Sequence, residues 1–387
     1  MSTPIDTDVT PWWRLPILAI ATSLVVGTVL LAFSWPAVTA DAQHLPIGIV
    51  GAPEQIDQIS DAIDEQSEGA IALTEYDDRD AAVEAIEQRE VYGAIVLPVA
   101  QGEAPEVLTA SAASAAVAQM LQGIATAQQQ QIDAQIHATI EENLAATQER
   151  VATQIQAVIQ AVIAGQTPQI PEGAAEPISI PTVTVEVTDI VPLADSDPRG
   201  TGLAAAMFPM VLGGMIGGIA VTLLVKPGGV RRVVALAIYA PVVGIVLAGI
   251  LQGLYGALQG SYWLNASAIA LAIAAISSTI TGLAALIGPA GAGLGAAFIL
   301  LVANPLSAAT TPVEFIVAPW GAFGQFLPPG AAATLLRNLS YFPDADSSFS
   351  WLVLATWAAA GVALTFLDLP GKRLAAGETA AQRPLTV

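Results

Sequence analysis

Hydrophobic residues in this chain fall into six long apolar runs, and a long polar stretch separates the first run from the other five. A helix that crosses a membrane needs about 20 mostly apolar residues. The pattern therefore predicts a polytopic α-helical membrane protein with six transmembrane helices. The predicted spans are Leu15–Trp35, Leu203–Val225, Val233–Leu254, Leu264–Ile287, the shorter Ala290–Val302, and Phe349–Leu367.

The first apolar run has an alternative interpretation. Trp12, Trp13 and Trp35 flank the run, as aromatic residues do at membrane interfaces. The small residues of "AVTA", which ends at Ala40, also resemble the cleavage site of a signal peptide. We favour the transmembrane helix, because the run is long for the apolar part of a signal peptide.

Basic residues predict how the spans are oriented. Lys and Arg favour the cytoplasmic ends of membrane helices. Three basic clusters lie at Arg14, within 226–232 and within 372–383, and six spans place all three on one side. We therefore expect a multi-pass protein of the plasma membrane with both termini in the cytoplasm. The expected cytoplasmic termini are 1–14 and 368–387, and the expected extracytoplasmic parts are 40–199 and 304–348.

The polar stretch after the first span alternates between strand and helix patterns. Its first five segments read as strand, helix, strand, helix and strand, which predicts a small parallel α/β sheet. The predicted strands are Leu45–Gly51, Ala70–Tyr76, Tyr92–Pro98 and a later Ile178–Ile190. The predicted helices are Pro53–Gln66 and Asp78–Glu90, the second capped by Asp78 or Asp80.

A long helical tract runs from Ala112 to about Ala164 without a proline. As one rod it is about 78 Å long at about 1.5 Å per residue. The following 15 or so residues reach back at most about 50 Å. We therefore expect the tract to fold back as a hairpin or to lie across the domain, with Gly123 and Gln128–Gln131 as weak break signals. Its near-heptad apolar stripe packs within the domain or against a second copy.

Charge is concentrated in the polar stretch. Only 12% of the 387 residues are charged, yet residues 40–199 hold 26 acidic residues against 4 arginines, a net charge of −22. A soluble protein is about 25% charged, so the low total supports a membrane protein. We expect the acidic block to repel nucleic acid and anionic lipid headgroups, and we expect no nucleic-acid partner.

Signatures of catalysis and of cofactor binding are missing from the sequence. It has no cysteine, no Gly-x-x-x-x-Gly-Lys phosphate loop, no calcium loop and no Gly-x-Ser-x-Gly elbow. His44 and His137 have no partner at metal-ligand spacing. We therefore expect no enzyme activity, no cofactor and no metal site.

Glycines recur four residues apart within the predicted spans, a spacing that lets helix backbones approach closely in lipid. Packing within one bundle is the simpler interpretation, and a dimer interface is the alternative. The pairs are Gly213 and Gly217, Gly214 and Gly218, Gly249 and Gly253, and Gly291 and Gly295.

The segment "WGAFGQFLPPGAAATLLRNLSYF" (320–342) is too irregular to span lipid and too apolar for an ordinary loop. Irregular backbone at membrane depth is tolerated where protein or water satisfies its polar groups. We expect a re-entrant or interfacial hairpin with short helices at Pro312–Phe323 and Gly330–Ser340. Arg337 is expected to pair with Glu314 or with a phosphate headgroup. A lid that only seals the bundle is the alternative.

The same region carries a family resemblance. One helix, a large outer α/β domain and then five helices resemble the type-2 ABC exporter permeases, and the chain is more similar to their relatives, the YhgE/Pip membrane proteins of actinobacterial type. The stretch Asp78–Pro98 resembles the same group. The motif residues that carry the resemblance are Asn304, Pro305, Glu314, Trp320, Gln325, Pro328, Pro329, Gly330 and Arg337, within "NPLS", "PVEF" and "GQFLPPGAAATLLRNLSYF".

The resemblance implies functions that differ in their partners. ABC permeases work with a separate ATPase, whereas YhgE/Pip relatives include phage-infection proteins and a subunit associated with type VII secretion. We expect no amphipathic helix in "MSTPIDTDVTPWW" before span one, and "KPGGVRR" (226–232) is short for a coupling helix. We therefore expect an unpowered accessory or scaffold subunit for envelope export or assembly, in a homodimer or larger complex. An ABC exporter subunit and a surface receptor are the alternatives.

Overall fold

The computed structural model describes residues 13–67, 69–98, 104–164, 183–225 and 228–367. Within them lie eleven α-helices and five strands. The helices are α1 (Arg14–Val38), α2 (Pro53–Ser67), α3 (Arg79–Glu87), α4 (Ala115–Ile163), α5 (Thr201–Leu224), α6 (Gly229–Ala248), α7 (Tyr262–Ile287), α8 (Pro289–Phe298), α9 (Trp320–Gly324), α10 (Pro328–Tyr341) and α11 (Ser348–Phe366). The strands are β1 (Leu45–Val50), β2 (Ile71–Glu75), β3 (Gly93–Val96), β4 (Glu106–Thr109) and β5 (Glu186–Asp189).

Five of these helices are long and apolar enough to cross a membrane, as expected for a polytopic helical membrane protein. They are α1, α5, α6, α7 and α11. The predicted fifth span is a shorter apolar helix, Pro289–Ala303, in which α8 continues into a π-helical turn. Helix α6 likewise continues through a π-helical turn to Leu254.

Helix α7 is the centre of the helical bundle, which comprises α1, α5 to α8 and α11. It packs against α5, α6, α8, α10 and α11. Two of its buried hydroxyl side chains bond to carbonyl groups of neighbouring helices: Thr281 donates to Gly218 at 3.2 Å and Ser278 to Ala358 at 3.2 Å. Such bonds across helices satisfy polar groups where water is absent. Helix α7 therefore fixes the positions of its neighbours through both packing and hydrogen bonds.

Glycines let three helices approach the backbone of α7. A Cβ added at Gly218 of α5 would lie 2.8 Å from a backbone oxygen of α7, and one at Gly244 of α6 would lie 2.5 Å from another. A Cβ at Gly361 of α11 would lie 2.4 Å from the carbonyl carbon of Ser278. Of the four glycine pairs, Gly253 faces open space and Gly249 has only ordinary contacts. A Cβ on any of the remaining six would touch a neighbour, closely at Gly214, Gly217, Gly218 and Gly291 and less closely at Gly213 and Gly295.

The sheet domain consists of the five strands with α2, α3 and α4. The strand order is β2-β1-β3-β4-β5, and β1 pairs in parallel with both β2 and β3, as the strand–helix alternation predicts. Strand β4 was not predicted, and its antiparallel pairing with β3 makes the sheet mixed. Strand β5 pairs in parallel with β4 and is shorter than the predicted strand.

Helix α4 is one uninterrupted helix of 49 residues, so the expected hairpin is not formed. Its first turns are buried against the sheet through Val117 and Leu121. The distance that the chain must cover after the helix was overestimated, because the chain returns only to the middle of α4. There the Gln129 side chain donates to the Val183 carbonyl at 3.0 Å and accepts from the Val185 amide at 2.7 Å. From Gln129 to Ala164 is about 52 Å of helix, within the reach of the intervening chain.

Within the sheet domain, an ion pair joins strand β4 to the start of helix α3. Arg79 donates to both carboxylate oxygens of Glu106 on β4, at 2.7 and 2.9 Å, and Thr188 on β5 donates to the same carboxylate at 2.7 Å. The hydrogen bond from Arg79 lowers the pKa of Glu106 below its ordinary value of 4.5. The carboxylate therefore stabilises the fold above pH 4.5, and this contribution is lost as the pH falls through the lowered pKa.

Glu106→Gln is expected to remove about 1 kcal/mol of stability at pH 7, because the pair is partly exposed. The loss should shrink as the pH falls from 4.5 through the lowered pKa of Glu106, below which wild-type Glu106 is protonated in the folded protein. Thermal unfolding of the detergent-solubilised chain from pH 7 to 3 measures both effects. Glu87→Gln on α3 is the matched control, and an equal response of the two variants would contradict the assignment.

Candidate functional site at the domain junction

The segment 304–347, between α8 and α11, forms the floor on which the sheet domain sits. It contains 3₁₀ turns at Pro305–Ser307 and Val313–Phe315 and the helices α9 and α10. The prediction placed a longer first helix at Pro312–Phe323, whereas α9 has five residues. Helix α10 begins at Pro328, so the two prolines lie in its first turn, where a missing N–H has no cost.

Close backbone contacts fix the turn between α9 and α10. A Cβ added at Gly324 would lie 1.8 Å from the Leu306 carbonyl oxygen, and one at Gly330 would lie 2.2 Å from the Gly324 carbonyl oxygen. Pro328, Pro329 and Gly330 are all buried. The segment is therefore a packed hairpin built into the bundle, since α10 also contacts α7 and α11.

The other motif residues brace this hairpin. Thr334 of α10 donates to the Gln325 side chain at 2.7 Å, and that side chain donates to the Ser307 carbonyl at 3.4 Å. The Asn304 carbonyl accepts from the Ser307 hydroxyl at 2.7 Å, and Pro305 follows it in the 3₁₀ turn. Trp320 starts α9 and is 45% exposed, so it is the one motif residue here that presents a large surface to the surroundings.

Glu314 and Arg337, the expected ion pair, have other partners in the structure. Tyr92 of the sheet domain donates its hydroxyl to Glu314 Oε2 at 2.8 Å. Arg337 donates from Nη2 to the Ala309 carbonyl at 3.1 Å. The predicted salt bridge is therefore not formed, and Glu314 instead anchors the segment to the sheet domain.

Arg89 forms a second contact between the sheet domain and the floor segment. It follows α3 with a left-handed backbone, φ 60°, which costs energy for a side-chain-bearing residue. Its guanidinium donates to the Asn338 side chain of α10 and lies 5.3 Å from the Phe342 ring centroid. Phe342 is 1% exposed and packs among the residues of α3 and β3, including Ile86. Hydrogen bonding, cation–π attraction and apolar burial therefore coincide at one point.

Short backbone contacts close the junction near the end of α1. The Gln43 amide donates to the Glu314 carbonyl at 3.1 Å, and the Asp41 amide donates to the Phe315 carbonyl at 3.3 Å. The Gln43 side chain accepts from the Ala318 amide at 3.2 Å. The linker after α1 and the floor segment, some 270 positions apart, are thus joined by hydrogen bonds of both backbone and side-chain groups.

The charges at the junction are shielded from water. Burial lowers the pKa of Arg89, and Tyr92 and Glu314 beside it oppose that change. Burial also raises the pKa of Tyr92, and the Glu314 carboxylate raises it further, so the phenol stays protonated and donates. Burial, together with the charge of Arg89, lowers the pKa of Arg337 to about 10, so the Arg337 guanidinium is charged at neutral pH.

A cleft, the junction cleft, opens between the sheet domain, α1, α5 and the floor segment. Its polar chamber has a volume of about 100 Å³ and is lined by Ser111, Asp197, Arg199, Arg337 and Tyr341, among others. Its apolar groove has a volume of about 370 Å³ and is lined by Phe33, Pro36, Met207, Phe208, Pro305 and Ile316, among others. The two parts share the lining residues Ala204, Thr310 and Thr311.

The cleft can bind a ligand, and the junction couples the sheet domain mechanically to the helical bundle. The junction joins α3, β3 and α10, and α10 packs on α7. Among the described residues no three His, Asp or Glu side chains gather as metal ligands. No family model, no curated protein and no solved structure matches this chain.

Sequence reasoning missed Arg89, Tyr92 and Asn338. Arg89 lay in an acidic helix end and Tyr92 at a predicted strand start, where solvent exposure is the ordinary expectation. Their partners are 249 and 222 positions away. The usable signal was the isolated charge of Glu314 and Arg337 in an apolar region, which indicates a buried polar site but does not name the partner.

Proposed function

We propose that this chain is a permease-like protein of the plasma membrane, resembling the YhgE/Pip group. In this proposal it is an accessory or scaffold subunit for the export or assembly of cell-envelope components, with no ATPase or other enzyme activity of its own. Its acidic sheet domain faces outside and binds another envelope component.

The distribution of elements over the two ends of the bundle supports this orientation. The sheet domain lies at the end where α5 begins. The opposite end gathers the α7–α8 turn at Gly288, the end of α11 at Thr365 and the basic residue Arg232. Basic residues favour the cytoplasmic end, so this end is inside in the proposal and the sheet domain is outside.

The junction is the observation that carries the scaffold role. A flexible tether would let the sheet domain move independently, whereas Arg89 and Tyr92 tie it to the floor segment. Floor helix α10 in turn packs on α7, the centre of the bundle. A force or a partner acting on the sheet domain therefore reaches the bundle.

The short connections at the end that this proposal places in the cytoplasm favour an unpowered protein over an ABC exporter subunit. Helix α5 ends at Leu224 and α6 begins at Gly229, and α7 and α8 are separated by Gly288 alone. These connections are too short to contain a coupling helix, the element that binds the ATPase in ABC exporters. A surface receptor is the third function in contention, and the same exposed sheet domain would serve it.

Purification of the native complex from its own membrane tests the proposal. We expect co-purification with other envelope or export proteins and without a nucleotide-binding subunit. A co-purifying ATPase would show the chain to be an exporter subunit. A protein that comes out alone, and whose deletion leaves the composition of the envelope unchanged, would contradict the proposal.

A further inference from the structure

The junction cleft has the form of a binding site for an amphiphile. Its apolar groove of about 370 Å³ lies within the range of about 300–1,000 Å³ found for small-ligand sites. The polar chamber adjoins the groove at Ala204, Thr310 and Thr311. One elongated ligand can therefore place an apolar part in the groove and a polar part in the chamber.

The chamber has positively charged side chains available to bind an anionic group. Arg337 lines it and makes one hydrogen bond, to the Ala309 carbonyl. In the described part of the chain no carboxylate forms an ion pair with Arg337. The one carboxylate that lines the chamber, Asp197, accepts from the Thr201 amide at 3.0 Å and the Gly202 amide at 2.7 Å, so it caps α5. The positive charge of Arg337 is thus left for an external partner, and Arg199, exposed at the same chamber, adds a second.

The groove is open on the side where α1 passes α5. Phe33 of α1 and Phe208 of α5 face each other in an edge-to-face contact with 6.2 Å between ring centroids. Both remain accessible, at 37% and 43% exposure, so they flank the groove without sealing it. Both helices are long and apolar enough to cross a membrane, which places this opening where lipid chains lie.

We propose that the junction cleft binds an anionic lipid, with the charged headgroup against Arg337 and an acyl chain in the apolar groove. The guanidinium recognises phosphate oxygens by charge-assisted hydrogen bonds. The lipid packs between α1, α5 and the floor segment, so it stabilises the junction. This site stands on the geometry of the cleft and holds whether or not the protein takes part in export.

Native mass spectrometry of the full chain in a neutral detergent tests the site. The probes are phosphatidylglycerol, phosphatidylcholine with the same acyl chains, and glycerol 3-phosphate as the headgroup alone. Phosphatidylglycerol is expected to bind about tenfold more tightly than phosphatidylcholine. Both lipids carry the phosphate, but the choline cation of phosphatidylcholine is repelled by Arg337 and Arg199 at the chamber, and like charges brought together oppose binding by about that factor or more. Equal binding of the two lipids overturns the proposal. Glycerol 3-phosphate that binds as tightly as phosphatidylglycerol would show a site for free anions instead.

Two variants separate the headgroup site from the groove. Arg337→Gln is expected to remove most of the preference for phosphatidylglycerol, and Arg199 accounts for the remainder. Arg150→Gln on exposed α4, the same change of charge, leaves the preference intact. Ala204→Leu narrows the passage between chamber and groove with Arg337 in place, and is expected to lose at least tenfold in affinity for phosphatidylglycerol. Wild-type preference in Arg337→Gln, or wild-type affinity in Ala204→Leu, overturns the proposal. If Arg337→Gln fails to fold, Ala204→Leu and the wild-type comparison decide it.

Discussion

Gly361→Ala is expected to destabilise the bundle by about 3 kcal/mol, the upper part of the range for overpacked cores. The added Cβ would lie 2.4 Å from the carbonyl carbon of Ser278 and 2.5 Å from the Thr279 amide nitrogen. Both are backbone atoms of α7, so neither can swing aside as a side chain would. Helix α11 must therefore move away from α7, and their extensive contact is lost.

Gly293→Ala on α8 is the matched control, because nothing lies within 4 Å of its added Cβ. The helix propensity of alanine makes this change neutral or stabilising by up to about 1 kcal/mol. Thermal unfolding in detergent, followed by size-exclusion retention of the folded protein, compares the two variants. A Gly361→Ala variant as stable as Gly293→Ala would mean that α7 and α11 are not packed as described.

Arg89→Met is expected to loosen the junction by about 2–3 kcal/mol, in the range for hydrogen bonds that involve a charged group. The change removes the donor to Asn338 and the cation beside Phe342. Methionine keeps an unbranched apolar stem like that of arginine and must adopt the same φ of 60°, so the backbone contribution to the difference is small. The expected result is release of the sheet domain, seen as faster proteolysis between the domain and the bundle.

A second arginine supplies the control for this junction prediction. Arg79→Met removes an ion pair whose arginine side chain is 43% exposed, and should cost less than about 1 kcal/mol. In a double-mutant cycle, Arg89→Met and Asn338→Leu together should cost less than the sum of the single changes, since either one already breaks the bond. Strict additivity would show that Arg89 and Asn338 do not interact.

Local pattern was sufficient for much of the fold. The apolar runs predicted helices α5, α7 and α11 with ends within a few residues, because hydrophobic length is a property of the sequence itself. Three strands and α3 with its Asp78 cap followed from the same kind of signal. Strand β4 was missed because "EVLT" is only four residues long, too short to show the alternation of apolar and polar residues that marks a strand.

The sequence drew attention to the floor segment but gave no information on its contacts with the sheet domain. The isolated charges Glu314 and Arg337 and the Pro-Pro-Gly sequence, which was expected to form a turn and instead begins α10, drew attention to the floor segment. Pairing Glu314 with Arg337 assumed that two opposite charges in one apolar segment are partners. In the folded chain the sheet domain brings Tyr92 to Glu314 across 222 positions, and periodicity carries no information about such a contact.

Sidedness labelling tests the central claim, that the sheet domain stands outside the plasma membrane on a floor joined to the bundle. The chain has no cysteine, so single cysteines can be introduced without background. Ala145→Cys places one on exposed α4, and Ala290→Cys places one at the exposed α7–α8 turn. A membrane-impermeant maleimide added to intact cells should label the Ala145→Cys variant at once and the Ala290→Cys variant only after permeabilisation. The reverse pattern would put the sheet domain in the cytoplasm and contradict the proposed role in the envelope.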